Sequence, residues 1–179
     1  MGPDNITPYL LKIALPLIFE SLTYVYNLCI EQNIFPMALK NAKVVPLPKT
    51  NNLSDPSNCR PISFLLVISK LLERHIHKHL LLYLENNKLI HQCQSGFRPD
   101  HSCHTVLMRL CDGWLSAIDS SEIVGTVFLD FKKAFDLVDH SVLLKKLSLY
   151  VKDSSSLAFF HSYLTNRSQY VFLKNESSS

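Results

Sequence analysis

The residues with the most chemical content are those of the stretch Phe128-Leu-Asp-Phe-Lys-Lys-Ala-Phe-Asp136. Asp130 ends a β-branched and apolar run that begins at Glu122 and predicts a strand. A carboxylate at the end of a buried strand is costly unless it is exposed, hydrogen-bonded or bound to a cation. Mg²⁺ takes such oxygen ligands and shares them with substrate phosphates in phosphoryl transfer. The alternative is that Asp130 only forms a turn or caps a helix, and spacing alone does not decide between the two.

Other polar residues offer weaker cases for chemistry. Asp136 and Asp139 stand where a helix is predicted to begin, so N-capping, worth about 0.5–2 kcal/mol, accounts for them without a cation. Five further residues could bind zinc, but their spacing departs from the usual Cys-x₂₋₄-Cys and His-x₃₋₅-His pairs: His91, Cys93, His101, Cys103 and His104. We therefore expect core or partly buried thiols there, and no zinc site.

The elements that must position these residues follow from apolar periodicity. Spacings of three and four residues predict helices at 8–33, 63–86, 102–116 and 136–151. Strands are predicted at 122–130 and at 43–49, where prolines suit an edge strand whose end projects Lys49. Residues 50–59 and 94–99 are predicted loops, and 159–173 a short helix followed by a strand. Thr7 and Pro8 indicate a capped start of the first helix, which Pro16 is expected to kink or split.

Length and composition indicate one globular domain. The chain has 179 residues, 47% of them hydrophobic and 18% charged, which excludes disordered, collagen-like and coiled-coil classes. The formal net charge of +3 is mild, but residues 40–109 hold ten Lys and Arg against four Asp and Glu, a segment charge of +6. A polyanionic partner should therefore meet the middle of the chain.

Cysteine usage and the N-terminal sequence bear on location. Five cysteines at irregular spacing, without a charged-then-apolar leader, favour a reducing intracellular compartment, either nucleus or cytoplasm. The most apolar early stretch, Ile13 to Ile30, contains Pro16, Glu20 and Asn27, so we expect no transmembrane segment and no membrane partner.

Several motifs together resemble one protein family. The stretch Val127-Phe-Leu-Asp130, followed by Lys133-Ala-Phe-Asp136 and Val138-Asp-His140, resembles the first catalytic motif of reverse transcriptases from non-LTR retrotransposons, the LINE and jockey-like elements. Five further motifs agree in order and spacing: Gly2-Pro-Asp-Asn-Ile6, Lys40-Asn-Ala-Lys-Val-Val-Pro-Leu-Pro-Lys49, Asn58-Cys-Arg-Pro-Ile-Ser63, Lys70-Leu-Leu-Glu73 and Gln94-Ser-Gly-Phe-Arg-Pro-Asp-His-Ser102. The sequence departs from the family pattern at Asn5 and Asp100, where glycine is usual, and at Cys59, where an aromatic is usual.

The resemblance implies a role for each matching residue. Asp130 would bind the catalytic Mg²⁺ or Mn²⁺, assisted by the main-chain carbonyl of Phe131, and Phe135 would lie beneath the sugar of the incoming nucleotide and reject a 2′-hydroxyl. Lys49 and Arg60 would contact nucleotide phosphates, for which charged donors are suited. The template-facing residues would be Gly96, Phe97, Arg98 and Ser102. Without the resemblance, Phe135 is expected to be a buried aromatic side chain. Lys49 and Arg60 would then belong to a solvated basic surface, and the segment from Gly96 to Ser102 would be an ordinary turn.

The resemblance also implies an α+β fold, with the fingers and an incomplete palm of a right-hand polymerase, rich in helix and with a small truncated sheet. The expected division is a fingers-like region at 1–110, a partial palm at 111–176 and a frayed tail at 177–179. The expected partners are an RNA template, a DNA primer and deoxynucleoside triphosphates. No oligomeric state follows from the sequence.

The family's Tyr-x-Asp-Asp hairpin does not occur in the sequence. We therefore expect a fragment of an RNA-directed DNA polymerase that uses Mg²⁺ for nucleotidyl transfer only in a full-length context, because a single carboxylate cannot clamp two metal ions. One alternative is a non-catalytic nucleic-acid-binding remnant that acts through the +6 segment, Tyr83 and Phe97. The other is a degenerate reading frame whose product misfolds because an apolar sheet edge is exposed.

Overall fold

The computed structural model describes residues 2–49 and 58–172, which form two compact units. One unit contains the residues up to Leu81 together with those from Asp139 onward, and the other is Leu82–Val138. Each unit is described by itself below. The units are defined by packing and do not test the predicted division into fingers-like and palm-like regions. The predicted tail at 177–179 and most of the predicted loop at 50–59 lie outside the described residues.

Helices and a small sheet follow one another along the chain. The helices are α1 (Pro8–Glu31), α2 (Val67–Asn86), α3 (Cys103–Asp119), α4 (His140–Tyr150) and α5 (Ser154–Leu164), with a short 3₁₀ helix at Met37–Leu39. The strands are β1 (Asn41–Pro48), β2 (Cys59–Phe64) and β3 (Ser168–Val171). The mixed helix and sheet content confirms the α+β prediction, and the helix and strand predicted within 159–173 are confirmed as α5 and β3.

Helix α1 begins as the sequence predicts, with the Thr7 hydroxyl accepting a hydrogen bond from the Leu10 N–H at 3.1 Å and Pro8 in the first turn. Pro16 lies inside one continuous helix, so the prediction of a split is wrong. By length and composition α1 could cross a membrane, which the sequence prediction did not anticipate. Core helices of soluble proteins and signal sequences have the same length and apolar composition, so these two properties alone do not assign α1 to a membrane.

The three strands form one sheet in the order β2-β1-β3, with β2 antiparallel and β3 parallel to β1. The prediction that β1 is an edge strand is therefore wrong. Its prolines are tolerated because β3 pairs only with Asn41 to Val44, and because Pro46 lies opposite Pro61. The Lys49 N–H donates to the Asn58 carbonyl at 2.8 Å, so by alternation the two prolines form a non-hydrogen-bonded pair that needs no N–H.

The first unit has a small apolar core where the end of α1, α2 and α5 meet. Phe35, exposed by 1%, contacts Tyr163 and Phe159 edge-on at ring-centroid distances of 4.9 and 6.1 Å. Leu72 is completely buried beside them. Helix α2 begins later than predicted because Ser63 and Phe64 belong to β2, a strand that the sequence analysis did not predict.

Glu73 anchors α2 in this unit. Its carboxylate accepts a hydrogen bond from the Ser69 hydroxyl at 3.4 Å and pairs with the Arg167 guanidinium at 3.7 Å. Burial raises the pKa of Glu73, although the charge of Arg167 and the hydrogen bonds from Ser69 and Tyr163 oppose that shift. The family-like motif Lys70-Leu-Leu-Glu73 thus ties α2 to the segment that leads into β3.

The second unit contains the end of α2, the connector that follows it and α3. A capping box fixes the start of α3: the Ser102 hydroxyl accepts from the Thr105 N–H at 3.2 Å, and the Thr105 hydroxyl accepts from the Ser102 N–H at 3.0 Å. Helix α3 runs to Asp119, three residues beyond the predicted end.

The strand predicted at 122–130 is not formed. These residues lie outside any helix or strand, and no strand is present among the described residues of the second unit that could pair with them. A β-branched apolar run needs a hydrogen-bonded neighbour to become a strand, and local sequence does not supply one. Turns follow at 132–137, so α4 begins at His140 and not at 136.

Candidate functional site

Asp130 lies in the second unit, on the irregular stretch between α3 and the turns at 132–137. Its neighbours Leu129 and Phe131 are 82% and 76% exposed, and Asp130 is exposed with them. A carboxylate buried in an apolar interior would have excluded a metal-binding role, because burial disfavours its charged form. The exposed Asp130 carboxylate is open to solvent and to ligands on the second unit.

Phe135 and Phe97 are brought together by the fold of the second unit. Their ring centroids are 5.9 Å apart and the rings cross at 87°, an edge-to-face contact. Both rings remain largely exposed, at 77% and 81%. The residue predicted to lie beneath the nucleotide sugar therefore contacts the segment predicted to face the template, and the expectation that a lone Phe135 would be buried is wrong.

The backbone around Phe97 is strained. Phe97 has a φ of 61°, in the left-handed region that a bulky residue rarely adopts. Gly96 does not use a positive φ, and a Cβ there would meet only the Gln94 side chain, at 3.4 Å. Ser102, the last of the four predicted template residues, caps α3.

Arg98 is held in a fixed position. Its Nε atom lies 3.4 Å from the Glu85 carboxylate, and its Nη1 donates to the Gln94 carbonyl at 3.2 Å. The Arg98 side chain is 21% exposed, so it is neither a freely solvated arginine nor a buried one. Such a restrained guanidinium is suited to binding a phosphate with the donors that remain.

Lys49 and Arg60 lie at the far end of the β1–β2 hairpin in the first unit. Arg60 pairs with Leu47, and Lys49 lies two residues after Leu47, directly beyond the end of β1. Its N–H continues the ladder to the Asn58 carbonyl, so by alternation the Lys49 and Arg60 side chains project from the same face of the hairpin. Diagonal neighbours of this kind are about 7–8 Å apart. Both residues are exposed, so the hairpin end presents two adjacent cations. The predicted site residues thus form two groups, one in each unit.

A cavity beside Arg98 is lined by five residues that the sequence analysis did not assign to a nucleotide or template site. Ser95, His101 and Arg109 line this cavity of about 430 Å³ together with Gln92, Arg98 and Thr105. Thr105 and Arg109 are four residues apart on α3 and so share one face of that helix. This spacing, read together with the nearby Arg98, was the one signal in the sequence that could have identified the cavity.

The described residues show which groups of this chain could hold a metal ion. Within residues 2–49 and 58–172, no three His, Cys, Asp or Glu side chains are grouped as a metal site. Asp130 provides an exposed, hard oxygen ligand of the kind that Mg²⁺ prefers. The chain therefore fits one part of a magnesium shell, and the other ligands would be water, nucleotide phosphates and further carboxylates. Asp139 caps α4, as predicted, whereas the Asp136 N–H donates to the Lys133 carbonyl within a turn.

Comparison with known proteins gives a consistent set of relatives. Residues 47–178 match the family described as reverse transcriptase (RNA-dependent DNA polymerase). The chain is 32% identical, over 99% of its length, to the probable RNA-directed DNA polymerase from transposon BS of Drosophila melanogaster, of which it covers 20%. It is 31% identical, over 81% of its length, to the RNA-directed DNA polymerase from mobile element jockey of the same organism, of which it covers 16%. A polyprotein of the retrotransposable element R2 from Popillia japonica is 35% identical over 56% of the chain.

Proposed function

Since this chain belongs to the reverse transcriptase family, we propose that it forms the fingers and part of the palm of an RNA-directed DNA polymerase of a non-LTR retrotransposon. The chain spans a fifth or less of the length of the relatives named above. The activity is therefore proposed for a longer polypeptide in which this chain is one part. The exposed position of Asp130, close in sequence to the Phe135–Phe97 contact, is the observation that supports this proposal most directly.

Asp130 is proposed to be a catalytic metal ligand, with the Phe131 main-chain carbonyl assisting. Bound Mg²⁺ would supply electrostatic stabilisation of the charge that develops on the transferred phosphoryl group. The role of this chain is to hold a carboxylate where that ion and the nucleotide phosphates can share it. The absence of a Tyr-x-Asp-Asp sequence means that further carboxylates must come from another part of the polymerase.

Phe135 is proposed to select deoxynucleotides. A phenyl ring beneath the sugar leaves no room for a 2′-hydroxyl, so ribonucleotides are rejected by steric overlap. The edge-to-face contact with Phe97 at 5.9 Å would fix the plane of the Phe135 ring. This contact would make the position of the ring depend on the template-facing segment.

Lys49 and Arg60 are proposed to hold the triphosphate of the incoming nucleotide. The register of β1 and β2 places these two cations on one face of the hairpin, and both are exposed. Charge-assisted hydrogen bonds from such a pair would neutralise part of the phosphate charge. Gly96, Phe97, Arg98 and Ser102 are proposed to face the RNA template, with a DNA primer as the other strand and the intracellular space as the place of action.

The role of Asp130 is tested by primer extension on an RNA template, using a longer reverse transcriptase that contains this chain. Asp130→Asn removes the charged ligand and should lower the rate of nucleotide incorporation by about a thousandfold or more, because metal-ligand charge stabilises the transition state. Asp112→Asn, at an exposed position on α3 in the same unit, makes the same charge change and should leave the rate within about twofold. Equal rates for the two variants would overturn the assignment of Asp130.

A further inference from the structure

The cavity beside Arg98 in the second unit carries positive charge. Two arginines and a histidine line it, and the three remaining lining residues are neutral: Gln92, Ser95 and Thr105. No carboxylate is among these residues. Glu85 pairs with Arg98 from outside the lining, so one of the two guanidinium charges is partly balanced and that of Arg109 is the main attraction for an anion.

Both guanidinium groups of this cavity are held by the same short connector. Arg98 donates to the Gln94 carbonyl at 3.2 Å, and Arg109 on α3 donates to the Gln92 carbonyl at 3.1 Å. Each of these bonds occupies one of the five N–H donors of a guanidinium, and Arg98 Nε also faces Glu85. The remaining donors are therefore available on side chains whose orientation is already fixed, which lowers the entropy cost of binding.

The lining residues indicate phosphate rather than a base or an apolar group. Guanidinium forks match the geometry of phosphate oxygens, and the hydroxyls of Ser95 and Thr105 add short-range donors. Ser95 is also within 3.1 Å of the His101 ring nitrogen Nδ1, so the polar side chains of the cavity contact one another. No Phe, Tyr or Trp lines the cavity on which a base could stack, whereas Phe97 is 81% exposed next to Arg98 in the chain.

We propose that this cavity binds a backbone phosphate of a nucleic-acid strand, with Arg109 and Arg98 as the two phosphate ligands and Phe97 as a stacking surface for an adjacent base. The inference rests on the proposed function and extends it to Arg109, which the family-like motif at 94–102 does not include. The cavity has no Phe, Tyr or Trp side chain to hold a base, so it suits the phosphate of a nucleic-acid strand better than a free nucleotide. The bases of a strand can lie outside the cavity, where the exposed Phe97 ring is found.

The test measures binding of a fluorescently labelled single-stranded RNA to the 179-residue chain by anisotropy over a series of salt concentrations. Arg109→Gln and Arg98→Gln should each weaken binding roughly tenfold and reduce the dependence of log K on log salt by about 0.7, the value for one phosphate contact on a single strand. Arg74→Gln, at an exposed position of α2 in the first unit, removes the same charge and is the matched control. It should change binding by less than about twofold.

The outcomes separate this inference from the proposed function. Equal weakening in Arg109→Gln and Arg74→Gln would overturn the cavity as a phosphate site while leaving the polymerase proposal intact. If the unsubstituted chain does not bind RNA, both the cavity and the template role fail. If a deoxynucleoside triphosphate displaces the RNA and loses affinity equally in Arg109→Gln, the ligand is a free nucleotide and the strand assignment is wrong.

A second variant covers the case in which Arg109→Gln does not fold, as judged by circular dichroism. Arg109→Lys keeps the charge and the aliphatic stem but loses the forked donors. It should keep the salt dependence and weaken binding several-fold. Affinity equal to that of the unsubstituted chain would contradict the role of the Arg109 guanidinium.

Discussion

Asn5 and Asp100 hold left-handed backbone geometry, with φ values of 57° and 61°. Reverse transcriptases of the non-LTR type usually have glycine at both positions, which adopts this region without a steric cost. Asn and Asp are the other residues that tolerate it, because their short polar side chains can form local hydrogen bonds. The two substitutions therefore preserve the turns, at a small cost in stability.

This cost can be measured at Asp100. Replacing Asp100 with Gly should stabilise the chain by about 0.5–1 kcal/mol, because relief of the positive-φ strain exceeds the entropy that glycine adds to the unfolded state. Urea unfolding followed by circular dichroism gives the free energy of unfolding. Asp112→Gly on α3 is the control and should destabilise by about 0.3 kcal/mol, the difference in helix propensity between Asp and Gly. A loss of stability in both variants would show that Asp100 has a native contact that glycine cannot replace.

Single candidate side chains could be identified from the sequence, but the side chains and carbonyls that they contact in the fold could not. The exposure of Asp130 and the common face of Lys49 and Arg60 agree with the predicted roles but do not establish them. The contact of Phe97 with Phe135 could not be predicted, because the two residues are far apart in sequence and the positive φ of Phe97 has no local signature. Arg109 was overlooked because its bond to the Gln92 carbonyl is a tertiary contact.

The helices are the elements that periodicity and capping residues predicted best. Thr7, Ser102 and Asp139 each accept a hydrogen bond from the first turn of a helix, so the starts of α1 and α3 lie within a residue of their predicted positions. The start of α4 was predicted too early, because Asp136 and Asp139 are equally good caps by type and only the turn at 132–137 selects Asp139. The strands were harder to predict, because pairing with β3 and β2 decides whether β1 is central.

The N-cap of α4 is the Asp139 carboxylate, so the stability of the first turn of α4 should depend on pH. The Ser141 hydroxyl, the Val142 N–H and the Ser141 N–H all donate to the Asp139 carboxylate and hold its pKa below the usual value. The pKa of Asp139 is lower in the folded state than in the unfolded state. The stabilisation that its carboxylate gives to the start of α4 is therefore fully present above the unfolded pKa, about 3.9. It is lost as pH falls through the lower folded pKa.

Amide hydrogen exchange in the first turn of α4 therefore should accelerate as pH falls below about 4, after correction for intrinsic exchange rates. Asp139→Asn keeps an acceptor that does not titrate, so its protection should not change over the same range. Asp153 caps α5 in the same way, with the Ser156 N–H at 2.7 Å, and provides an internal comparison. Identical pH dependence in the Asp139→Asn variant would contradict the role of this carboxylate.

At the scale of the whole molecule, the predicted strand at 122–130 was the largest error in the fold. Its apolar side chains are exposed, with Val127 at 83% and Phe128 at 78%, because a strand requires a partner that local sequence does not encode. The chain covers 20% or less of its jockey-like relatives, and we expect that a longer polymerase supplies the neighbouring strand. Family membership could be predicted from the sequence, because six ordered motifs constrain it more than any one element does.

The most direct test of the account is metal rescue at Asp130 in a longer reverse transcriptase that contains this chain. Asp130→Cys replaces a hard oxygen ligand with a soft thiolate, which Mg²⁺ binds poorly and Mn²⁺ accepts more readily. We predict that RNA-templated incorporation of a single deoxynucleotide falls about a thousandfold in Mg²⁺ and recovers at least tenfold in Mn²⁺ relative to the unsubstituted enzyme. The same loss in both metals, or no loss in Mg²⁺, would contradict a role for Asp130 as the ligand of the catalytic ion.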